Sequence, residues 1–329
     1  MIRRLSVPAA ALTVLFGGDA HAADITLRLP LACEIGKTCW VQNYVDHDAS
    51  NGARDYACGA QTYDTHNGTD FRLPTRAKMK EGVAVLSAAD GRVLRLRDGV
   101  ADASIRDRGV DAVRGQECGN GVVVAHEGGW ETQYCHMQRG SIVVKPGSAV
   151  KSGEPLGRVG LSGRTEFAHV HFTVRRDGKV VDPFANGAEE GACNTGASLW
   201  EPTVRAALGY RQGAVLNQGF AGKPITIDDV ESGAAEASAP RADAQALVAY
   251  VRAIGLRRGD ILRIAIADPD GQSFADDTAA PLDADKAQYF LATGRRRPPE
   301  GWKPGVYRAT YSVRRNGATV IEQGFEVTF

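Results

Sequence analysis

The sequence of 329 residues lacks a charge excess of either sign, because 39 Lys and Arg side chains balance 39 Asp and Glu side chains. A protein that binds nucleic acid or an anionic membrane surface through its electrostatic field needs a basic surplus. We therefore expect no nucleic-acid partner. Beyond its first 22 residues the sequence also lacks an apolar run near the roughly 20 residues of a membrane-spanning helix, so we expect no membrane insertion.

The first 22 residues have a composition of their own. Arg3 and Arg4 precede an apolar run from Leu5 to Phe16, and small residues flank a possible cleavage point at residues 20–22. A positive start, a short apolar run and small residues before the cut are the marks of a secretory signal peptide. We predict cleavage near Ala22 and a mature protein that is periplasmic or secreted.

The sequence has no CxxC pair, the spacing that structural zinc sites usually show. Its cysteines are even in number and belong to a chain predicted to be exported, where thiols are oxidised to disulfides. We expect three disulfides, of which only the short loop Cys33–Cys39 can be chosen from the sequence; zinc ligation by some of the cysteines is the alternative. The six are Cys33, Cys39, Cys58, Cys118, Cys135 and Cys193.

Stretches with a helical period are scarce. From about residue 60 to 185, short β-branched runs end on Gly, Asp-Gly or Pro-Gly, which is typical of antiparallel strands joined by tight turns. Residues 231–245 are rich in Ala, Ser and Pro and indicate a loop or linker. After residue 245, apolar and polar residues alternate again over short runs, as in the strands of a small β-sandwich. We predict an all-β fold: an antiparallel β-sheet domain followed by a small immunoglobulin-like β-sandwich.

These patterns divide the chain into four parts. We place a signal peptide at 1–22, a cysteine-containing segment at 23–59, a first β domain at 60–212 and a β-sandwich at 213–329. No histidine or cysteine occurs after residue 212. Histidine and cysteine are the usual ligands of catalytic metals and common catalytic residues. We therefore expect the first β domain to contain any catalytic site of the chain, and a chain that ends near Gln212 to retain that site.

Histidine is scarce, with seven in the chain, and two short motifs use four candidate ligands. In AHVHF, His169 and His171 are two apart on a predicted strand and so share a face. In THNGTDF, a straight strand would separate His66 from Asp70 by about 13 Å, too far to share a metal unless Gly68 lets the chain fold back. Two nitrogens and one carboxylate would match a catalytic zinc with an open position, although each motif alone also suits scattered surface residues.

Taken in order, the motifs form a longer pattern over about residues 60–184: HNGTD, then YCH, then VKPGSAVKSGEPLGRVGLSG, then HVH. This order closely resembles the lysostaphin-type zinc endopeptidases, secreted enzymes that cut the peptide part of bacterial peptidoglycan. By that resemblance His66, Asp70 and His171 match the zinc ligands. His136 and His169 match the two histidines that assist catalysis without holding the metal.

The resemblance implies a zinc-dependent endopeptidase that hydrolyses peptide cross-links of peptidoglycan, with Zn²⁺ as cofactor, peptidoglycan as partner and residues 60–212 as the metallopeptidase domain. The sequence has no HExxH, so the glutamate base of other metalloproteases is missing and the two helper histidines take its place. Val170 and Thr173 depart from the family's usual residues, which bears on substrate preference. The alternative is a non-catalytic relative that binds the cell wall or activates other hydrolases; retention of the three ligands argues against it.

Three further residues need an interpretation. Cys135 adjoins His136 and suggests a Cys-His nucleophile, but adjacent residues of a strand point to opposite faces. We expect Cys135 to face away from the cleft and to form a disulfide. His126 lies on a neighbouring strand, where it either supports the site or is exposed. We place His47 on the surface.

Overall fold

The computed structural model describes residues 24–189 and 191–329. The predicted signal peptide and its cleavage site lie outside the described residues. Within the described part of the chain, no helix is both long enough and apolar enough to cross a membrane.

The first half of the chain is built on an eight-stranded antiparallel sheet with the order β1-β2-β9-β6-β5-β4-β7, in which β10 pairs with β9. Two further short strands, β3 and β8, pair separately. Their bounds are β1 (Trp40–Asn43), β2 (Thr69–Arg72), β3 (Ala84–Leu86), β4 (Gly91–Arg97), β5 (Asn120–Ala125), β6 (Trp130–Met137), β7 (Ala149–Val150), β8 (Pro155–Arg158), β9 (His169–Arg176) and β10 (Lys179–Val181).

Strand β9 shows how the sequence divides this sheet into two faces. Val170, Phe172 and Val174 are buried and belong to the apolar core. Side chains of a strand alternate between faces, so His169 and His171 lie on the face opposite the core. The predicted sharing of one face by these two histidines follows directly from the pleat.

The second half contains seven strands in two antiparallel sheets, with the orders β11-β12-β15 and β14-β13-β16-β17. Apolar side chains of β12, β13 and β16 meet in one core. The prediction of an all-β chain of antiparallel sheets is confirmed, whereas the immunoglobulin-like character of these strands stays a prediction. Their bounds are β11 (Ala214–Ala221), β12 (Ala246–Leu256), β13 (Ile261–Ala267), β14 (Ser273–Thr278), β15 (Lys286–Arg296), β16 (Val306–Arg315) and β17 (Ala318–Thr328).

Helices are few and short. One of them, α4 (Ile227–Ser232), ends inside the predicted loop or linker at 231–245, whose first two residues are therefore helical. The side chain of Thr226 accepts from the backbone N–H of Asp229, and the Asp229 carboxylate accepts from the backbone N–H of Thr226, a capping box that the sequence pattern T-x-x-D could have revealed. The α-helices are α1 (Arg76–Glu81), α2 (Ile105–Arg108), α3 (Pro202–Ala207) and α4 (Ile227–Ser232); 3₁₀ turns span Val110–Val113, Glu127–Gly129 and Glu236–Ser238.

The cysteine-containing segment is part of the first sheet. It supplies strand β1, which pairs with β2, and it adds Leu27 and Leu31 to the first core. Trp40 of β1 also packs against Leu216 and Ile254, which belong to the second half of the chain. The predicted divisions after residues 59 and 212 stay proposals, and each is bridged by packing.

The expectation of three disulfides is confirmed, with the pairs Cys33–Cys39, Cys58–Cys193 and Cys118–Cys135. None of the six cysteines is free. The pair Cys58–Cys193 joins residues 135 positions apart, whereas Cys33–Cys39 spans only 6.

We predict that removing the long-range disulfide costs more stability than removing the short one. Chain entropy gives about 5 kcal/mol for the Cys58–Cys193 loop and about 2 kcal/mol for the Cys33–Cys39 loop. Urea unfolding of the two paired Cys→Ser variants measures the difference. Equal losses, or a titratable thiol in the denatured wild-type protein, would contradict the assignment.

Candidate metal centre

The pairing of β2 with β9 assembles one side of the candidate site. Asp70 lies opposite His171 and Arg72 lies opposite His169. Residues directly opposite each other on neighbouring strands share a face. The register therefore brings the carboxylate of one motif and the two histidines of the other onto the face that is free of the apolar core.

His66 reaches the same place through the loop before β2. The chain turns at Thr65, which has a φ of 63°, in the left-handed region that non-glycine residues rarely adopt. Gly68 has a different role from the one predicted: its φ is not in that region, but a Cβ at this position would lie 2.7 Å from Cε1 and Nε2 of His171. Glycine is needed here because the loop passes directly over the His171 ring.

Three atoms converge where the motifs meet. His66 Nε2 lies 3.2 Å from Asp70 Oδ1 and 3.1 Å from His171 Nδ1, and His171 Nδ1 lies 2.9 Å from Asp70 Oδ1. A tetrahedral Zn²⁺ with ligands at about 2.0–2.2 Å separates neighbouring ligand atoms by about 3.3 Å. The triangle is therefore close to the size that one zinc ion requires.

The outer hydrogen bonds of the two rings decide which nitrogens face the centre. His66 Nδ1 donates to the Tyr44 carbonyl at 2.6 Å, which leaves the lone pair on Nε2. The Asn67 side-chain oxygen lies 3.0 Å from His171 Nε2 and can only accept, which leaves the lone pair of that ring on Nδ1. In these tautomers two ring nitrogens and a carboxylate oxygen face one another, a donor set that fits a divalent cation such as Zn²⁺.

The carboxylate oxygen of Asp70 that points away from the three converging atoms also has a hydrogen-bond partner. Asn43 at the end of β1 donates from Nδ2 to Asp70 Oδ2 at 2.8 Å, which directs Oδ1 toward the centre. Support of this kind fixes the orientation of a metal ligand. Sequence spacing carries no signal for Asn43 or for the Tyr44 carbonyl, since both belong to the segment 23–59.

The charges of the site follow from burial and from close neighbours. Burial would raise the pKa of Asp70, but His66 and His169 outweigh it and hold that pKa well below its usual value. Burial lowers the pKa of His171, partly offset by Asp70. For His66, Asp70 outweighs burial and the pKa is raised. Asp70 is therefore ionised in the ordinary pH range and supplies the negative charge that attracts a cation.

His136 and His169 lie beside this triangle, with ring centroids 4.7 Å apart. His136 Nδ1 donates to the Ser162 carbonyl at 2.8 Å, and His169 Nδ1 donates to the Phe167 carbonyl at 2.9 Å. The His136 ring therefore carries its lone pair on Nε2, and Nε2 of His169 lies 3.4 Å from Asp70 Oδ1. Burial lowers the pKa of His136 well below its ordinary value, so this ring is neutral near pH 7.

The predicted orientation of Cys135 is wrong, although the predicted disulfide is correct. Cys135 lies opposite His171 in the register and so shares the face of the site. His136, the next residue, returns to that face because its φ of 61° breaks the alternation of the strand. A left-handed conformation at a non-glycine residue costs on the order of 1–3 kcal/mol, and such residues cluster at functional sites.

The other two histidines of the described chain lie away from the triangle. His126 Nδ1 contacts the Asp90 carbonyl at 2.7 Å and Nε2 contacts Thr132 Oγ1 at 2.8 Å. The surface placement of His47 is wrong: the residue is half-buried, and its Nε2 lies 2.8 Å from Asp182. The hydrogen bond to this carboxylate raises the pKa of His47.

Residues 64–183 match the model of peptidase family M23. Peptidoglycan DD-endopeptidase ShyB of Vibrio cholerae is 32% identical over 117 residues, covering 36% of this chain and 22% of its own length. Cell division protein DipM of Caulobacter vibrioides is 33% identical over 124 residues, with coverage of 36% and 17%. The matched segment therefore spans only about a fifth of the length of these curated relatives.

Among solved structures, a zinc-containing peptidase from Vibrio cholerae shares 25% identity, with 45% of this chain and 40% of that chain covered and a TM-score of 0.29. The antiparallel β class and the geometry of the histidines and Asp70 stand on the chain's own contacts.

We predict that Gly68→Ala weakens metal binding by about tenfold or more, since displacing a ligand or its support has effects of that size. The added methyl group would push against the His171 ring. Chelator competition for Zn²⁺ measures the affinity, and circular dichroism checks the fold. Gly209→Ala is the matched control, because the nearest atom to a Cβ there is 3.7 Å away; equal affinities of both variants would contradict the close-approach role.

Proposed function

We propose that the protein is a secreted, zinc-dependent endopeptidase that hydrolyses peptide cross-links of bacterial peptidoglycan, because residues 64–183 match the model of peptidase family M23. The observation that carries the proposal is the convergence of His66, Asp70 and His171 on one point. The relative named as a peptidoglycan DD-endopeptidase supports the substrate class. Three disulfides support an oxidising compartment, periplasmic or extracellular.

In this proposal His66 Nε2, Asp70 Oδ1 and His171 Nδ1 hold the zinc. When bound, zinc polarises the scissile carbonyl and lowers the pKa of water at the site, which allows attack on an amide near neutral pH. Three protein ligands leave a coordination position open, as catalytic zinc sites do. Asn43 and Tyr44 keep Asp70 and His66 in the orientation that ligation needs.

The two helper histidines handle the proton. The Nε2 lone pair of His136 or His169 accepts a proton from the attacking water as its oxygen bonds to the carbonyl carbon. That proton then passes to the leaving amine as the C–N bond breaks. In its protonated form the same Nε2–H donates to the oxyanion that develops on the carbonyl oxygen. The neutral state of His136 suits it for the first of these roles.

The alternative is a non-catalytic relative that binds the cell wall or activates other hydrolases. The triangle favours the enzyme, because a protein that only binds has no need of three converging ligand atoms with their outer hydrogen bonds.

Digestion of purified sacculi tests the substrate. The zinc-loaded protein should convert cross-linked muropeptides to monomers, which mass spectrometry identifies together with the bond that was cut. The result against the proposal is an unchanged muropeptide profile. Binding to sacculi without such cleavage would favour the non-catalytic alternative.

We predict opposite behaviour for two histidine variants. His171→Ala should lose zinc and activity together, because it removes a ligand. His136→Ala should keep its zinc and lose about 10² to 10³ in kcat, as for loss of a group that stabilises the oxyanion. Metal analysis and single-turnover rates on soluble muropeptides measure both.

The control is His126→Ala, which removes a histidine outside the site and should change neither quantity. Full zinc content in His171→Ala, or an empty site in His136→Ala, would mean that ligand and helper have been exchanged.

A further inference from the structure

An ionic cluster joins the second half of the chain to the strand that carries Asp70. Glu231 in α4 accepts from Arg72 Nη2 at 2.7 Å and also from Arg252 Nη1. The side chains of Arg72 and Arg252 are 1% and 0% exposed, and that of Glu231 is 12% exposed. Arg252 Nε donates to Asn217 Oδ1 at 2.9 Å, so the arginine is fixed to β11 as well.

Arg72 connects this cluster to the support of the candidate metal ligand. Its Nη1 donates to Gln42 Oε1 at 2.9 Å, and the next residue, Asn43, donates to Asp70 Oδ2. Gln42 Nε2 in turn donates to the Ala287 carbonyl of the second half at 2.8 Å. Arg72 also follows Asp70 by two positions on β2 and points to the same face.

A second contact of Arg72 leads to the candidate helper histidine. Its guanidinium lies over the Phe167 ring, 4.1 Å from the centroid. The Phe167 carbonyl accepts the hydrogen bond from His169 Nδ1, the bond that sets the tautomer of that ring. One guanidinium therefore contacts both Gln42, the neighbour of Asn43, and Phe167, whose carbonyl supports His169.

We propose that Glu231 is a positioning residue for the metal centre, acting through Arg72, and that the second half of the chain is thereby part of the site's support. Removal of its carboxylate leaves two buried arginines without the anion between them, and buried charges without a partner must move or draw in water. A shift of Arg72 displaces Gln42 and Phe167, and with them the two supports. This inference rests on the proposed function of the centre.

The ionic character of the contact between Glu231 and the two arginines favours a positioning role over a role that only holds the two halves of the chain together. Apolar packing of Trp40 against Leu216 and Ile254 already joins the two halves. Burial of an ion pair carries a desolvation cost that apolar contacts do not have, so such pairs add little net stability. Our proposal is that this pair defines one arrangement of the strands around it. In this chain the arrangement so defined is that of β1 and β2 beside the site.

The test uses Glu231→Gln in the full-length mature protein, since glutamine keeps the shape and removes the charge. Zinc affinity is measured by chelator competition well below the unfolding temperature, and kcat and KM are measured on soluble cross-linked muropeptides. We expect about tenfold weaker zinc binding, the size typical for loss of an outer support, with kcat reduced and KM little changed. Glu236→Gln, an exposed glutamate five positions further on, should match the wild type.

A variant with a lower unfolding temperature but wild-type zinc affinity and kcat would overturn the inference and leave a stabilising role only. If Glu231→Gln does not fold, Glu231→Asp takes its place, because it keeps the charge and withdraws it by one methylene; the same weakened zinc binding is then expected, and wild-type affinity again overturns the inference. Failure of the wild-type protein to bind zinc or cleave muropeptides is a distinct result, which overturns the proposed function and this inference with it.

Discussion

The pairing register of β2 with β9 is the constraint on which the rest of the site depends. It sets Asp70 opposite His171 and Arg72 opposite His169, so two motifs about a hundred residues apart meet on one face. A slip by one residue would turn each side chain of β2 to the other face, which would put Phe71 in the site and bury Asp70 in the core. The register is held because Phe71, Val170 and Phe172 are fully buried on the core side.

The convergence of ligand atoms then depends on contacts that come from outside the two strands. Asn43 and the Tyr44 carbonyl, from the segment that carries β1, orient Asp70 and His66. Glu231, from the second half, reaches the same region through Arg72. The motifs lie between residues 66 and 171, whereas the contacts around them come from residues on both sides of that range. The expectation that a chain ending near Gln212 retains the chemistry stays a prediction, and the proposed role of Glu231 argues against it.

What the sequence predicted well rests on local periodicity. The period of two in a strand predicted the shared face of His169 and His171, and the runs between glycines predicted antiparallel sheets. Local reasoning failed where the backbone leaves the regular pattern: the positive φ of His136 returned that ring to the face of Cys135, and Gly68 proved necessary for close approach rather than for a turn. The contact of Glu231 with Arg72 spans 159 positions, and nothing in the local composition of an Ala- and Ser-rich stretch indicates such a partner.

An anomalous-difference map, recorded at the zinc absorption edge from crystals of the mature protein grown with Zn²⁺, tests directly whether one metal ion binds at the three converging atoms. We expect one strong peak, about 2.0–2.2 Å from His66 Nε2, Asp70 Oδ1 and His171 Nδ1. A peak ligated by His136 or His169 instead, or no peak on this face of the sheet, would contradict it.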